Sequence, residues 1–165
     1  MAQNAYMFLS LNGSQIDGES TVNTLAGIDL SQAIELVECR FKVGLTEATN
    51  PRRLEGRRIH APFWGLKRID KATPQLFQGL VNTMQVDAKI HFFRPDPDTG
   101  EIENYFDIEL QRGRLSQIEG YLPHQLTPHL AGELSLEAFE IVYHSILLRH
   151  NIAGTEAQDT FSSVA

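Results

Sequence analysis

Period-two alternation runs through most of this chain, and one stretch breaks it. In "KRIDKATPQLFQGLVNTM", residues 67–84, Phe77, Leu80, Val81 and Met84 fall at i, i+3, i+4 and i+7, one face of a helix. Thr73 is the expected N-cap, and Pro74 fits the first helical position, where its missing N–H breaks no bond. The spacing therefore predicts a helix over about 74–84, short and apolar on one side only. Such a helix must lie against a sheet or a barrel mouth.

The rest reads as strands. "AYMFLSL" (5–11) ends at the turn pair Asn12-Gly13, and the following "SQIDGEST" is polar and turn-rich. In "AIELVECRFKVG" (33–44), Val37, Cys39, Phe41 and Val43 share one face, taken as inward, and Glu38, Arg40 and Lys42 share the other. That arrangement makes Cys39 a small core hydrophobe rather than a nucleophile. Residues 45–58, "LTEATNPRRLEGRR", hold no period and contain Pro51 and Gly56, as in a long exposed loop. "IHAPFWGL" is interrupted by Pro62 and reads as an edge strand.

"DAKIHFF" (87–93) and "ENYFDIEL" (103–110) form a hairpin across a Pro-, Asp- and Gly-rich turn, and "GRLSQIEGYL" adds a further strand. "LEAFEIVYHSILL" (136–148) is apolar on both faces, as in a central or interface strand. From Asn151 onward a small, polar tail is expected, mobile apart from Phe161. The expected fold is mainly β: a compact barrel or sandwich of about seven or eight strands with one lateral helix. A single domain spans 1–165, its tail beginning near 151.

Composition narrows the partners. A net charge of −7 argues against nucleic acid, whose phosphates require a positive surface, and against an anionic membrane. No segment approaches the ~20 apolar residues of a spanning helix, so membrane insertion is not expected. Cys39 is the only cysteine and fits a reducing compartment. The start "MAQNAYMFLSLNG" lacks a basic region and a cleavage site. The expectation is folding in the cytoplasm and, if the protein leaves, exit without a signal peptide.

Chemistry is sparse. There is no P-loop, GxGxxG, GxSxG or HExxH. His124 and His129 lack a third ligand nearby, His144 and His150 do not share a register, and His60, beside Phe63 and Trp64, has no indicated nucleophile. "DPDTGE" (96–101) lacks the rest of a calcium loop. No catalytic residue, cofactor or metal ligand is expected. The loudest charge feature is Arg52, Arg53, Arg57 and Arg58, a basic cluster on an acidic chain. It suits contact with an acidic surface, such as another copy, and equally a solvated loop.

"FWGLKRIDKATPQLFQGLVNTMQVDAKIHFF" (63–93) resembles the central segment of the Hcp family, the tube protein of bacterial type VI secretion systems. The carrying residues are Phe63, Lys67, Ile69, Asp70, Thr73, Pro74 and Leu76. "YMFLSLNGSQIDGES", with Gly18, Glu19 and Ser20, and "RRIHAPF" add to it. Three features depart from the family: "TVNTLAGI" where many members carry a His, "SILLRHN" in place of an aromatic-rich strand, and Phe161 where Trp is common.

The resemblance implies a β-barrel assembled as a homohexameric ring, with rings stacked into a tube. A contractile sheath drives the tube from the cell behind a tip spike protein, after assembly with baseplate proteins, and the lumen holds effector proteins. It implies no catalytic residues. On this view the loop with Arg52, Arg53, Arg57 and Arg58 is the ring-stacking loop, and Glu38, Arg40 and Lys42 face the lumen. The alternatives are a monomeric barrel binding a small ligand at a mouth lined by Phe63 and Trp64, and an enzyme using His60 or His144 with a carboxylate.

Overall fold

The computed structural model describes residues 3–46 and 56–160. Its elements are β1 (Asn4–Leu11), β2 (Ser14–Ile16), β3 (Thr24–Leu25), β4 (Ile28–Asp29), β5 (Ile34–Arg40), β6 (Val43–Leu45), β7 (Arg58–His60), β8 (Phe63–Arg68), α1 (Thr73–Val81), β9 (Val86–Pro95), β10 (Ile102–Tyr121), β11 (Leu136–Val142), β12 (Ser145–His150) and β13 (Thr155–Thr160). The main sheet runs β11-β8-β5-β1-β9-β10, and β10 pairs back onto β11, which closes a six-stranded antiparallel barrel. Closure removes the edges that such apolar strands would otherwise expose. Two further strands, β12 and β13, continue outward from β10, and β2 folds back on β1 through Asn12-Gly13.

The expected hairpin of 87–93 with 103–110 is present, but its second strand does not stop there. β10 is one bent strand of 20 residues. Its first part faces β9; after a register shift between Leu110 and Gly113, with Arg112 at φ 50°, it turns to face β11. A bulge of this kind bends a strand and lets one segment serve two neighbours.

Met7, Leu9, Ile34, Ile90, Ile108, Leu110, Phe139 and Ile141 fill the interior. Gly65 is there because a Cβ at that position would enter the ring of Phe139. On the outer side of β1 and β9 a smaller cluster of Tyr6, Leu30, Ala33 and Phe93 is covered by the segment carrying β3 and β4. Tyr6 and Met7, adjacent in sequence, are thus both buried, on opposite faces.

The helix exists, but its geometry differs from the prediction in two ways. It spans Thr73–Val81, with Ala72 at the N-cap and Thr73 already helical. The Thr73 hydroxyl points back to Lys67 and Asp70 instead of capping. Its buried face is Ala72, Leu76 and Gly79, with Leu80 and Met84 half-buried; Phe77 and Val81 are exposed. Leu11 packs on Gly79, so the helix lies with its Leu76 side on the barrel.

Five strand expectations are also corrected. A register shift between Leu36 and Glu38 puts Ile34, Leu36 and Cys39 inward and leaves Val37 exposed; Phe41 and Val43 lie beyond the strand and are exposed too. β8 is central, between β5 and β11, because Pro62 falls just before it instead of within its ladder. Residues 136–148 break at Tyr143-His144 into β11 and β12, which pair with different parts of β10. Residues placed in a tail form β13, paired along β12 from Ser145↔Thr160 to His150↔Thr155. "SQIDGEST" likewise contributes β2. The loop predicted over 45–58 is pinned at its base: β6 pairs with β7, Val43 opposite His60 and Leu45 opposite Arg58.

Candidate functional site

Three of the residues that carry the family resemblance, Lys67, Asp70 and Thr73, meet at one buried ion. Lys67 follows Phe63 by four positions on β8, so both point inward; Phe63 sits in the core and Lys67 beneath the start of α1, fully buried. Its ammonium donates to Asp70 Oδ1 (2.8 Å), Thr73 Oγ1 (3.0 Å) and the Arg68 carbonyl (3.1 Å). Glu137, paired with Lys67 across β8 and β11, brings Oε1 to 3.5 Å. Asp70 also accepts from the Ala72 N–H, and Thr73 Oγ1 from the Asp70 N–H. One ammonium therefore ties a strand, the connection after it, a helix start and a second strand. A buried charge is tolerated only when paired in this way. Pro74 occupies the first turn of the helix, and Ile69 is exposed beside the node.

The Gly-Glu-Ser segment meets the same place. Gly18 donates to Gln32 O at 3.0 Å, and a Cβ there would fall 2.5 Å from Ala33 O. This close approach brings the Glu19 N–H to Asp70 Oδ2 (3.4 Å). Ser20 closes a turn onto Val22 O (2.7 Å). Between the two motifs lies a cavity of ≈ 540 Å³ lined by Glu19, Ser20, Glu35, Arg68, Ile69, Asp70 and Leu134, among others. Glu35 accepts from Thr21 and faces Arg68 at 3.5 Å.

At the other end of β8, the hairpin β6–β7 stands off the barrel with Val43, Leu45 and Ile59 exposed. Of the arginine cluster, Arg52 and Arg53 lie outside the described residues. Arg57 is exposed, its backbone N–H on Thr46 Oγ1. Arg58 is engaged within the chain, its Nε 3.1 Å from Asp159 of β13. The same carboxylate meets His60 Nε2 at 2.7 Å, and His60 Nδ1 lies 3.0 Å from the Tyr143 hydroxyl. Burial and the Asp159 charge push the Tyr143 hydroxyl up to about 12, so it stays protonated. The set anchors β7 to β13. Sequence reasoning missed it because Asp159 was assigned to a tail.

Glu38, Arg40 and Lys42 are all exposed. Arg40 stacks on the Trp64 ring, 4.2 Å from its centroid, and lies 3.7 Å from Glu38. Phe63 and Trp64 therefore point to opposite faces and do not line one mouth. Cys39 is half-buried, and its thiol is pushed up to about 11 by burial and by Glu38. His91 and Asp107 form a second buried pair at 2.7 Å that the alternation did not reveal. Among the described residues no three His, Cys, Asp or Glu side chains are grouped to hold a metal ion.

These features define a closed antiparallel β-barrel cross-braced by the buried Lys67 ion pairs, with a lateral helix and a protruding hairpin. The family described as "Type VI secretion system effector, Hcp" matches residues 8–150, and the chain belongs to it. It is 28% identical over 109 residues to the "Major exported protein" of Pseudomonas aeruginosa, a match covering 66% of this chain and 63% of that relative. A crystal structure of an Hcp protein superposes with a TM-score of 0.84 at 20% identity, covering 98% of this chain and 99% of the other. The Hcp1 protein from E. coli EAEC 042 superposes with a TM-score of 0.81 at 23% identity, covering 96% and 99%.

Proposed function

We propose that this chain is the ring-forming subunit of a type VI secretion tube. The observation that carries the reading is the family match over residues 8–150, which includes the Lys67 node and the barrel built around it. Six copies form a closed ring; rings stack into a tube, propelled by a contractile sheath behind a spike protein after assembly on baseplate proteins in the bacterial cytoplasm. The subunit acts by assembly, without catalysis, and leaves the cell with the tube, its lumen carrying effector proteins. The exposed apolar residues of the isolated chain, Val43, Leu45, Ile59, Phe77 and Val81, support assembly, since an apolar surface of this kind gains from being covered.

On this reading Glu38, Arg40 and Lys42 contribute a mixed-charge lumen wall to which cargo does not adhere. The segment around Arg52, Arg53 and Arg57 is the ring-stacking contact; Arg58 is set apart because it holds Asp159 in its own chain. Light scattering on a size-exclusion column, with negative-stain microscopy of the same peak, tests the proposal. A six-subunit mass with annular particles is expected. A monomer without annular particles across salt and protein concentration refutes it.

A further inference from the structure

Hairpin β6–β7 has little of its own to hold it where it stands. Its strands pair only with each other, as a sheet separate from the barrel, and residues 41–42 and 61–62 are the links to β5 and β8. Val43, Leu45 and Ile59 are exposed, so these apolar side chains do not fix its direction. A two-stranded hairpin without such packing is marginally ordered. Among the described residues, the polar side-chain contacts that leave the hairpin come from Arg58 and His60, two positions apart on one face of β7.

Both residues end on a single oxygen. Asp159 Oδ2 lies 3.1 Å from Arg58 Nε and 2.7 Å from His60 Nε2. In the neutral imidazole the Tyr143 hydroxyl, which stays protonated, donates to Nδ1 at 3.0 Å, and the Nε2–H donates to Asp159. The His60 side chain is 5% exposed, so its bonds are shielded from water and strengthened by the low local dielectric. Asp159 is held independently of the hairpin. Its strand β13 pairs along β12 from Ser145↔Thr160 to His150↔Thr155. Gln158 Nε2 donates to Ser145 Oγ and Arg149 Nε to Glu156 Oε2, each at 2.9 Å. Every other side chain of β13 is exposed, and the strand adds nothing to the apolar core.

We infer that β13 is a strut that positions hairpin β6–β7 through Asp159. The ladder with β12 fixes Asp159, Asp159 fixes Arg58 and His60, and these set the angle at which the hairpin leaves the barrel. The state of the C-terminal strand is thereby felt at the hairpin, although His60 and Asp159 are 99 positions apart in the chain. A partner or a chain extension that peels β13 from β12 loosens the hairpin as well. Asp159 is a positioning residue in this scheme. The coupling itself is a property of the single chain; its consequence for contacts between rings rests on the tube reading.

Hydrogen exchange read by mass spectrometry tests it on the full chain, kept dilute so that rings do not stack. The hairpin reporters are the Thr46 N–H bond to Arg57 O and the Ala61 N–H bond to Lys42 O. In Asp159→Ala both segments are expected to exchange about tenfold faster or more, with β8 and β9 unchanged. Glu156→Gln cuts a different tie of the same strand and should leave the hairpin at the parent rate. Arg58→Asp combined with Asp159→Arg reverses the pair. His60 then changes tautomer, Nε2 accepting from the new guanidinium and Nδ1 donating to the Tyr143 oxygen, and most of the loss should be recovered. A hairpin indifferent to Asp159→Ala, an equal effect of Glu156→Gln, acceleration spread over β8 and β9, or a reversed pair no slower than Arg58→Asp alone would each overturn the inference. Light scattering on the same samples keeps the two readings apart. Rings with an indifferent hairpin leave the tube standing without the strut, and a responsive hairpin in a chain that forms no rings leaves the strut standing without the tube.

Discussion

Replacing Lys67 by Met measures what the buried ammonium contributes. The side chain is fully buried, and its charge is held by Asp70 at 2.8 Å and faced by Glu137 at 3.5 Å. Methionine keeps the apolar stem and removes the charge. Two carboxylates then remain, and Glu137, with no solvent contact and no hydrogen-bond donor among the described residues, is the more exposed to the loss of its counter-ion. Removing one partner of a buried pair costs about 3–5 kcal/mol, a large share of the roughly 5–15 kcal/mol that holds a domain together. With a guanidinium m-value of about 4 kcal/mol/M, the unfolding midpoint should fall by about 1 M. The assay is chemical denaturation at a protein concentration too low for assembly, since association would add apparent stability. Lys67→Met combined with Glu137→Leu removes the stranded charge and should recover at least about 1 kcal/mol of the loss. A single variant within about 1 kcal/mol of the parent, or a double variant no more stable than the single one, would refute the claim that the node is an electrostatic brace.

Three further outcomes are expected. Burial alone would raise the Asp107 carboxyl, but hydrogen bonds from His91, Asn104 and Asn151 together with the His91 charge hold it below its ordinary value. A depressed folded value stabilises the protein above the unfolded value of 3.8, and the contribution is lost as pH falls through the folded one; Asp107→Asn should flatten the acid limb of a stability–pH curve below about pH 4. Cys39, its thiol pushed up to about 11, should label slowly with a maleimide at pH 8 until the chain is unfolded, and Cys39→Ala should fold and assemble like the parent. Gly65→Ala forces a methyl into the Phe139 ring and should cost about 1–3 kcal/mol in thermal unfolding, with Phe139→Leu recovering part of it in the same chain.

The barrel and its helix were legible from periodicity because both depend on one-sided burial, and turn chemistry correctly ended the first strand at Asn12-Gly13 and marked the hairpin across 94–102, though not the short β2 that follows Gly13. What periodicity hid were the places where it changes phase. The shift between Leu36 and Glu38 ejects Val37, the bend at Arg112 joins two apparent strands into β10, and the break at Tyr143-His144 divides one apparent strand into two. Each is a local backbone irregularity imposed by long-range pairing, which no window of sequence contains. β13 was missed for a related reason: "TEAQDT" has no apolar face, and its pairing along β12 and the Asp159 contacts to Arg58 and His60 hold it in place. The motif residues were easier to find than to explain. Phe63, Lys67, Asp70 and Thr73 stand out in the sequence, yet that Lys67 is buried, and that Glu137 lies opposite it, required the register of β8 against β11.

The misplaced side chains share a character. Val37, Phe41, Val43, Phe77 and Val81 were all assigned inward because they sit on apolar faces, and all five are exposed in the isolated chain. Amphipathic periodicity reports that a face avoids water, not whether the chain itself or a neighbour covers it. In a chain that works alone the two are the same, and the rule seldom misleads. Here the helix shows them side by side. Leu76 and Gly79 meet the barrel, while Phe77 and Val81, one residue and two residues further on, are exposed. On the tube reading both faces are cores, one folded with the chain and one completed by another copy, and the sequence carries the period of each superimposed on the other.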